Sequence, residues 1–210
     1  MERGKFIVFE GTDGSGKSTQ IKLLGKYLSS KGVEVYLTRE PTDSPFGALL
    51  RSCLTGRVDA DERAIAALFA ADRLDHILNE VNGIRAMLEA GVTVLCDRYY
   101  FSSFAYNGGF VPLEWIIELN RQAMELMRPD LVIYIDLPPE EGMRRVAKRG
   151  EAERYETLER QKLIREKYFE VFERFKDQEN IVIVKSEENK AETQEAIRRA
   201  ANAIMFGGKQ

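Results

Sequence analysis

The chain has 210 residues, of which 44% are hydrophobic and 31% are charged, and its formal net charge is −3. These values predict a single globular domain over residues 1–210 rather than a disordered chain or two full domains. They argue against general binding to nucleic acid polymers or anionic membranes, which requires a basic surface, and no apolar run approaches the roughly 20 residues that span a bilayer.

Short apolar runs alternate along the chain with longer amphipathic segments. The runs rich in Val, Ile and Phe predict five strands, at Phe6–Phe9, Val33–Leu37, Val92–Cys96, Leu131–Ile135 and Ile181–Val184. Helical spacing of apolar residues lies between them, as at Ile21, Leu24, Tyr27 and Leu28, and at Trp115, Ile116, Leu119, Ala123 and Leu126. This alternation predicts an α/β fold of three layers, in which helices flank a mainly parallel five-stranded sheet.

The segment between the first strand and the first helix has the pattern of a phosphate-binding loop. It comprises Gly11, Thr12, Asp13, Gly14, Ser15, Gly16, Lys17, Ser18 and Thr19. Its glycines let backbone amides approach an anion closely, at the positive end of a helix dipole. Lys17 supplies a charge for the β- and γ-phosphates, and the Ser18 hydroxyl is a hard oxygen ligand for Mg²⁺. We therefore expect a P-loop NTPase fold that binds a nucleoside triphosphate, such as ATP, with Mg²⁺, the alternative being a glycine-rich turn that binds nothing.

Asp97 and Arg98 follow the third predicted strand directly. The carboxyl ends of strands in open parallel sheets form the edge where ligands bind. There Asp97 is suited to hold Mg²⁺, directly or through water, and the planar fork of Arg98 is suited to a phosphate. The alternative is an ordinary surface ion pair between the two side chains.

Five segments, in the right order, resemble those of the thymidylate kinase family. They are Phe9–Gly14, Thr38–Pro41, Leu68–Arg73, Asp97–Tyr99 with Ser102, Ser103, Ala105 and Tyr106, and Pro129–Leu131 through Asp136–Leu137. The resemblance covers most of the chain and implies transfer of the γ-phosphate of ATP to dTMP, giving dTDP and ADP. It also implies a homodimer, for which helices around Leu68–Met87 or Trp115–Met127 would carry the apolar interface.

The resemblance assigns roles around the acceptor nucleotide. Arg39 and Arg98 would hold its 5′-phosphate, and Asp13 would lie near the 3′-hydroxyl or the transferred group. Phe69 would stack on thymine, which Arg73 would hydrogen-bond. In addition, the expected pocket has Ser103 near the base edge and Tyr106 against the 2′ side of the sugar.

Each base-site role has a plainer alternative. Phe69 has the spacing of a core residue, and the alternative for Tyr106 is ordinary packing. For Arg73 the alternatives are an ion pair with Asp72 or Asp75, or a place on the helix surface. The chain also departs from the family pattern: Asn107 replaces a common Gln, Thr42–Asp43 replaces glycines, and Asp75 occupies a position where Gln is common.

An arginine-rich stretch predicts a lid over about 142–156. The charges Arg144, Arg145 and Lys148 are typical of a solvated helix face. Arg149 and Arg154 flank Gly150 in a segment similar to the lid of bacterial-type thymidylate kinases, and the phosphate loop itself contains no arginine. We therefore expect a lid arginine to stabilise the charge that develops during phosphoryl transfer.

Two other functions remain open from the residues. One is a P-loop kinase for another nucleotide or a deoxynucleoside. Arg39 and Arg98 indicate an acceptor that already carries a phosphate, which favours a nucleotide over a deoxynucleoside. The other is a non-catalytic ATP-dependent switch, which would not require a second cluster of arginines.

The N-terminal segment and the cysteines predict a cytoplasmic protein. Residues 1–5 lead into the first strand without the apolar stretch of a signal peptide. Cys53 and Cys96 lack metal-site spacing and are expected to be reduced thiols. The single histidine, His76, argues against a histidine-based metal site or a catalytic triad.

Overall fold

The computed structural model describes residues 2–147 and 157–207. Five parallel strands form one sheet in the order β2-β3-β1-β4-β5. The strands are β1 Phe6–Glu10, β2 Val35–Arg39, β3 Thr93–Asp97, β4 Leu131–Asp136 and β5 Ile181–Lys185. The predicted five-stranded α/β fold is therefore confirmed.

Every strand extends one or two residues beyond its apolar run. The last residue of each strand is charged: Glu10, Arg39, Asp97, Asp136 and Lys185. Backbone pairing continues past the apolar run to the sheet edge, as between Arg39 and Asp97, and an apolar pattern does not mark the polar residues that take part in it. The C-terminal edge of the sheet is thus a row of charged side chains.

The described helices pack on both faces of this sheet. They are α1 Lys17–Ser30, α2 Pro45–Leu54, α3 Glu62–Leu78, α4 Ile84–Glu89, α5 Tyr100–Asn107, α6 Leu113–Leu126, α7 Pro139–Val146, α8 Leu158–Phe175 and α9 Lys190–Phe206. Because side chains alternate along a strand, Phe6 and Val8 of β1 join one apolar cluster while Ile7 and Phe9 join the other. The three predicted layers follow from this alternation.

The predicted helix around Trp115–Leu126 forms, but its apolar positions are not equally buried. Ile116 and Ala123 are buried, whereas Trp115 and Leu126 are 40% and 41% exposed. Cys53 and Cys96 are buried free thiols, as expected. In the part of the chain that the structure describes, no helix is both long and apolar enough to cross a membrane.

Candidate active site

The phosphate loop leaves the N-terminus of α1 without a side-chain cap. Gly16, at φ 96°, lies in the left-handed region that glycine tolerates, and it precedes the first helical residue, Lys17. In contrast, α2, α3, α8 and α9 each begin with a capping side chain, from Ser44, Asp61, Thr157 and Asn189. The amides at the start of α1 are therefore available to an anion, as a phosphate loop requires.

Lys17 folds back over this loop. Its Nζ donates to the carbonyl oxygens of Gly11 (3.0 Å) and Thr12 (3.2 Å), and the residue is only 7% exposed. Burial, with a smaller contribution from the Arg98 charge, lowers the pKa of Lys17 to about 8. A buried cation surrounded by carbonyl oxygens is well placed to receive a polyanion.

The lowered pKa predicts that Lys17 destabilises the ligand-free fold at neutral pH. The unfolded side chain holds its proton up to about pH 10.5, whereas the folded one releases it near pH 8. The cost of burying the charge is therefore fully present below pH 8 and disappears as pH rises toward 10.5. We expect Lys17→Met to raise the free energy of unfolding at pH 7 by on the order of 1–3 kcal/mol.

Urea unfolding of both proteins between pH 7 and 10 measures this difference, which should shrink as the pH rises. Lys26→Met, which removes an exposed lysine from the same helix, serves as the control. A Lys17→Met protein less stable than wild type at pH 7 would contradict the assignment of a desolvated cation.

Ser18 and Asp97, the two predicted metal ligands, lie side by side. The Ser18 hydroxyl donates to Asp97 Oδ2 at 2.8 Å, while the other carboxylate oxygen, Oδ1, is buried without a hydrogen-bond partner among the described residues. A hydroxyl beside a carboxylate that keeps one oxygen without a partner among the described residues fits the preference of Mg²⁺ for hard oxygen ligands. Asp97 thus contacts the phosphate loop rather than forming a surface ion pair with Arg98.

Arg98 points toward the phosphate loop rather than into solvent. Its Nη1 donates to the Gly11 carbonyl oxygen and to Ser102 Oγ, both at 3.2 Å. Its Nη2 pairs with Asp13 and donates to the Tyr106 hydroxyl at 2.9 Å. The backbone of Arg98 has φ 71°, a conformation that is uncommon for a residue with a side chain. Such a conformation persists where the surrounding structure maintains it, as often occurs at functional sites.

Asp13 connects the phosphate loop to Arg98 and to α8. Its carboxylate accepts from Tyr106 (3.0 Å) and from Gln161 Nε2 (3.1 Å), and its backbone amide donates to Gln161 Oε1. Burial raises the pKa of Asp13, but the charges of Arg98 and Lys17 outweigh this effect and hold it below the ordinary value. Gln161 was not predicted, since nothing local in its sequence relates it to residue 13.

A pocket of about 80 Å³ gathers most of the predicted acceptor residues. Those lining it are Asp13, Phe69, Arg73, Arg98, Ser103 and Tyr106. Phe69 is half-buried and also packs against two apolar clusters, so that its core and pocket interpretations both apply. The structure therefore brings these distant segments to one place.

Arg73 does not pair with the aspartates considered from the sequence. It is buried and its Nη2 lies 2.6 Å from Oε2 of Glu40, a residue of the same pocket for which no role was predicted. Asp72 instead accepts from the Thr42 amide at 2.8 Å. Adjacent residues on a helix point in different directions, so that Arg73 and Asp72 hold different parts of the loop after β2.

Asn107 is a second pocket residue without a predicted role. It is fully buried and lines the same pocket, yet neither its amide oxygen nor its amide nitrogen has a partner among the described residues. Buried amides without partners are rare in folded proteins. An amide donor and acceptor left open in a pocket suit the edge of a nucleobase.

Glu10 is a further buried carboxylate beside the site. Its Oε2 accepts from Ser102 Oγ (2.6 Å) and the Tyr168 hydroxyl (2.8 Å), and its Oε1 accepts from the amide of Tyr99 (2.9 Å). Burial raises the pKa of Glu10 above its ordinary value. Through its hydrogen bonds Glu10 fixes the start of α5, the helix that follows Arg98. The sequence signal that could have identified Glu10 is a charged residue at the end of an apolar strand.

Arg39 lies apart from the pocket that contains Arg98. It lines a larger cleft of about 890 Å³ together with Ser18 and Asp97. Its side chain is 63% exposed and pairs with Asp43 at 2.9 Å. Asp43 is one of the departures from the family pattern noted above, and it neutralises Arg39 in this conformation.

The described part of the predicted lid is helical. Residues 142–146 belong to α7, where Arg144 and Arg145 both pair with Glu141, at 2.8 and 3.0 Å. The side chain of Arg144 is 64% exposed, as expected for a solvated helix face. The side chain of Arg145 is 31% exposed, and its Nη1 also donates to the Gly14 carbonyl oxygen of the phosphate loop and to Ser186 Oγ, both at 3.4 Å. Lys148, Arg149 and Arg154 lie outside the described residues.

Sequence similarity to known proteins points to one family. The family model described as thymidylate kinase matches residues 9–197. A probable thymidylate kinase of Thermococcus gammatolerans is 44% identical over 182 residues, 82% of this chain and 85% of the relative. The thymidylate kinase of Desulfotalea psychrophila is 45% identical over 70% of this chain and 71% of its own length. That of Limosilactobacillus fermentum is 37% identical over 95% of each chain.

Proposed function

Because the chain belongs to the thymidylate kinase family, we propose that it transfers the γ-phosphate of ATP to dTMP and releases dTDP and ADP. It is a phosphotransferase with small-molecule substrates. The observation that carries the proposal is the position of the phosphate loop beside a pocket in which an aromatic ring and two arginines converge. That pocket supports a phosphorylated acceptor with a flat base.

The donor phosphates would lie on the loop from Gly11 to Thr19. The uncapped amides of α1 would surround them, and Lys17 would exchange its two carbonyl partners for phosphate oxygens. Ser18 and Asp97 would hold Mg²⁺, which supplies charge neutralisation of the phosphates.

The acceptor would lie across the smaller pocket. Phe69 would stack on the base, while Arg73, Ser103 and Asn107 offer hydrogen bonds to its edge. Arg98 would bind the 5′-phosphate after its ion pair with Asp13 opens, and the guanidinium fork suits a phosphate better than a single carboxylate oxygen. Arg39 would join it by leaving Asp43.

Catalysis would rest on alignment and charge stabilisation. The acceptor phosphate is already anionic near neutral pH, so that no strong general base is required. Arg149 or Arg154 would bring a cation to the transferred group, and closure of the segment they belong to would exclude water.

We also propose a cytoplasmic homodimer. Exposed apolar side chains occur on both segments predicted to carry the interface, with Leu78 and Val81 on one and Trp115 and Leu126 on the other. Pairing of two copies would bury them.

The experiment that tests the function is an ADP-release assay with ATP, Mg²⁺ and a panel of acceptors: dTMP, dUMP, dCMP, UMP and thymidine. We expect dTMP to give the highest kcat/KM and thymidine to give none, because Arg98 then lacks a phosphate to bind. Preference for thymidine or another monophosphate would support a different P-loop kinase. ADP release unaffected by every acceptor would support the switch.

A further inference from the structure

Arg73 is held by an unusually complete set of buried partners. Its Nε donates to Glu40 Oε2 at 2.8 Å, and its Nη1 donates to Ser103 Oγ at 3.0 Å and to Asn120. Arg73, Glu40 and Asn120 are each at most 4% exposed. These contacts occupy most of the N–H donors of the guanidinium group. Glu40 therefore fixes the direction in which the remaining donors point.

Glu40 is itself oriented by His76. The two carboxylate oxygens have separate partners: Oε2 accepts from Arg73, and Oε1 lies 3.1 Å from His76 Nδ1. The other ring nitrogen, Nε2, lies 2.7 Å from the Thr38 hydroxyl, which can serve as donor or acceptor. His76 is buried, and a charge-assisted contact of this kind in a low-dielectric interior is strong and directional.

His76 lies one helical turn from Arg73 on α3, yet it lines the larger cleft while Glu40 and Arg73 line the smaller pocket. His76 therefore supports the wall between the cleft and the pocket from the cleft side, opposite the proposed position of the acceptor base. It touches neither the phosphate loop nor the Ser18–Asp97 pair in any contact of the described residues.

We propose that His76 is a positioning residue: acting through Glu40, it fixes the guanidinium of Arg73 for recognition of the acceptor base. This inference rests on the proposed function. Loss of the Nδ1 contact leaves a buried carboxylate oxygen unpaired, and Glu40 then turns or recruits water, so that Arg73 loses its alignment. The effect falls on acceptor binding and leaves the donor site unchanged.

Two conservative variants separate the two ring nitrogens. In His76→Asn the amide nitrogen takes the place of Nδ1 and keeps the bond to Glu40. In His76→Gln the amide reaches the place of Nε2 and keeps only the contact with Thr38. A matched control, Thr38→Val, removes the hydroxyl with little change of shape in β2.

The experiment measures kcat, KM for dTMP and KM for ATP of these proteins and of His76→Ala. We expect His76→Gln and His76→Ala to raise KM for dTMP roughly tenfold, which corresponds to the loss of one buried charge-assisted contact, with KM for ATP within about twofold. His76→Asn and Thr38→Val should stay close to wild type. Should His76→Ala fail to fold, the Asn and Gln variants carry the comparison.

Unchanged KM for dTMP in His76→Gln, or a His76→Asn protein as impaired as His76→Gln, would overturn the inference. A variant that loses kcat with both KM values unchanged would indicate a purely structural histidine and overturn it as well. Absence of dTMP turnover by the wild-type protein would instead refute the proposed function, so that the two failures are distinguishable.

Discussion

Replacement of Lys17 by methionine is expected to lower kcat/KM for dTMP phosphorylation by on the order of 10³-fold, because it removes a buried cation from the site of the β- and γ-phosphates. The side chain keeps its length and apolar stem, and the amides of α1 stay in place. Nucleotide binding should weaken less than turnover, since the charge matters most where phosphate charge develops.

The same assay on Lys26→Met provides the control, since that variant loses an equal charge from the exposed side of α1. The activity assay and the unfolding experiment together should show that the Lys17→Met protein is more stable than wild type and nearly inactive. This combination is typical of a residue whose burial is costly in the absence of ligand. A Lys17→Met protein with wild-type turnover would refute the assignment of the phosphate loop.

Arg98→Ala is expected to reduce kcat/KM for dTMP by a similar order, about 10³-fold, while ATP still binds. The change removes the only arginine that lines both the pocket and the phosphate loop among the described residues, and frees Asp13 and Tyr106 from their shared partner. Arg98→Lys should restore little activity, because an ammonium group cannot reproduce the planar fork.

Circular dichroism and ATP-analogue binding would test whether the Arg98→Ala protein remains folded. Arg121→Ala is the matched control, since that arginine lies on the exposed face of α6 and pairs only with neighbouring glutamates in the described contacts. If Arg98→Ala kept the wild-type KM for dTMP and the wild-type kcat, the phosphate of the acceptor would have to bind elsewhere.

The strongest expectations from sequence concern residues that are close together in the chain. The phosphate loop is contiguous, and its function depends on its own backbone conformation, so that Gly16 and Lys17 were identified with their local geometry. The five strands were also found from their apolar runs: β1, β3 and β4 are buried, as central parallel strands are, and the edge strands β2 and β5 are apolar although they are partly exposed. Strand ends were missed by one or two residues, since the polar residues there continue the backbone pairing of the sheet without continuing its apolar pattern.

The sequence by itself determined the fold class, the phosphate loop and the placement of Asp97 and Arg98 at one strand end. Only the tertiary structure decided which side chains meet there: Glu40 rather than Asp72 with Arg73, and Gln161 with Asp13. The physical reason is that a parallel sheet brings the ends of distant strands to one edge. Contacts made at that edge depend on helix direction and strand order, which no local pattern of residues encodes.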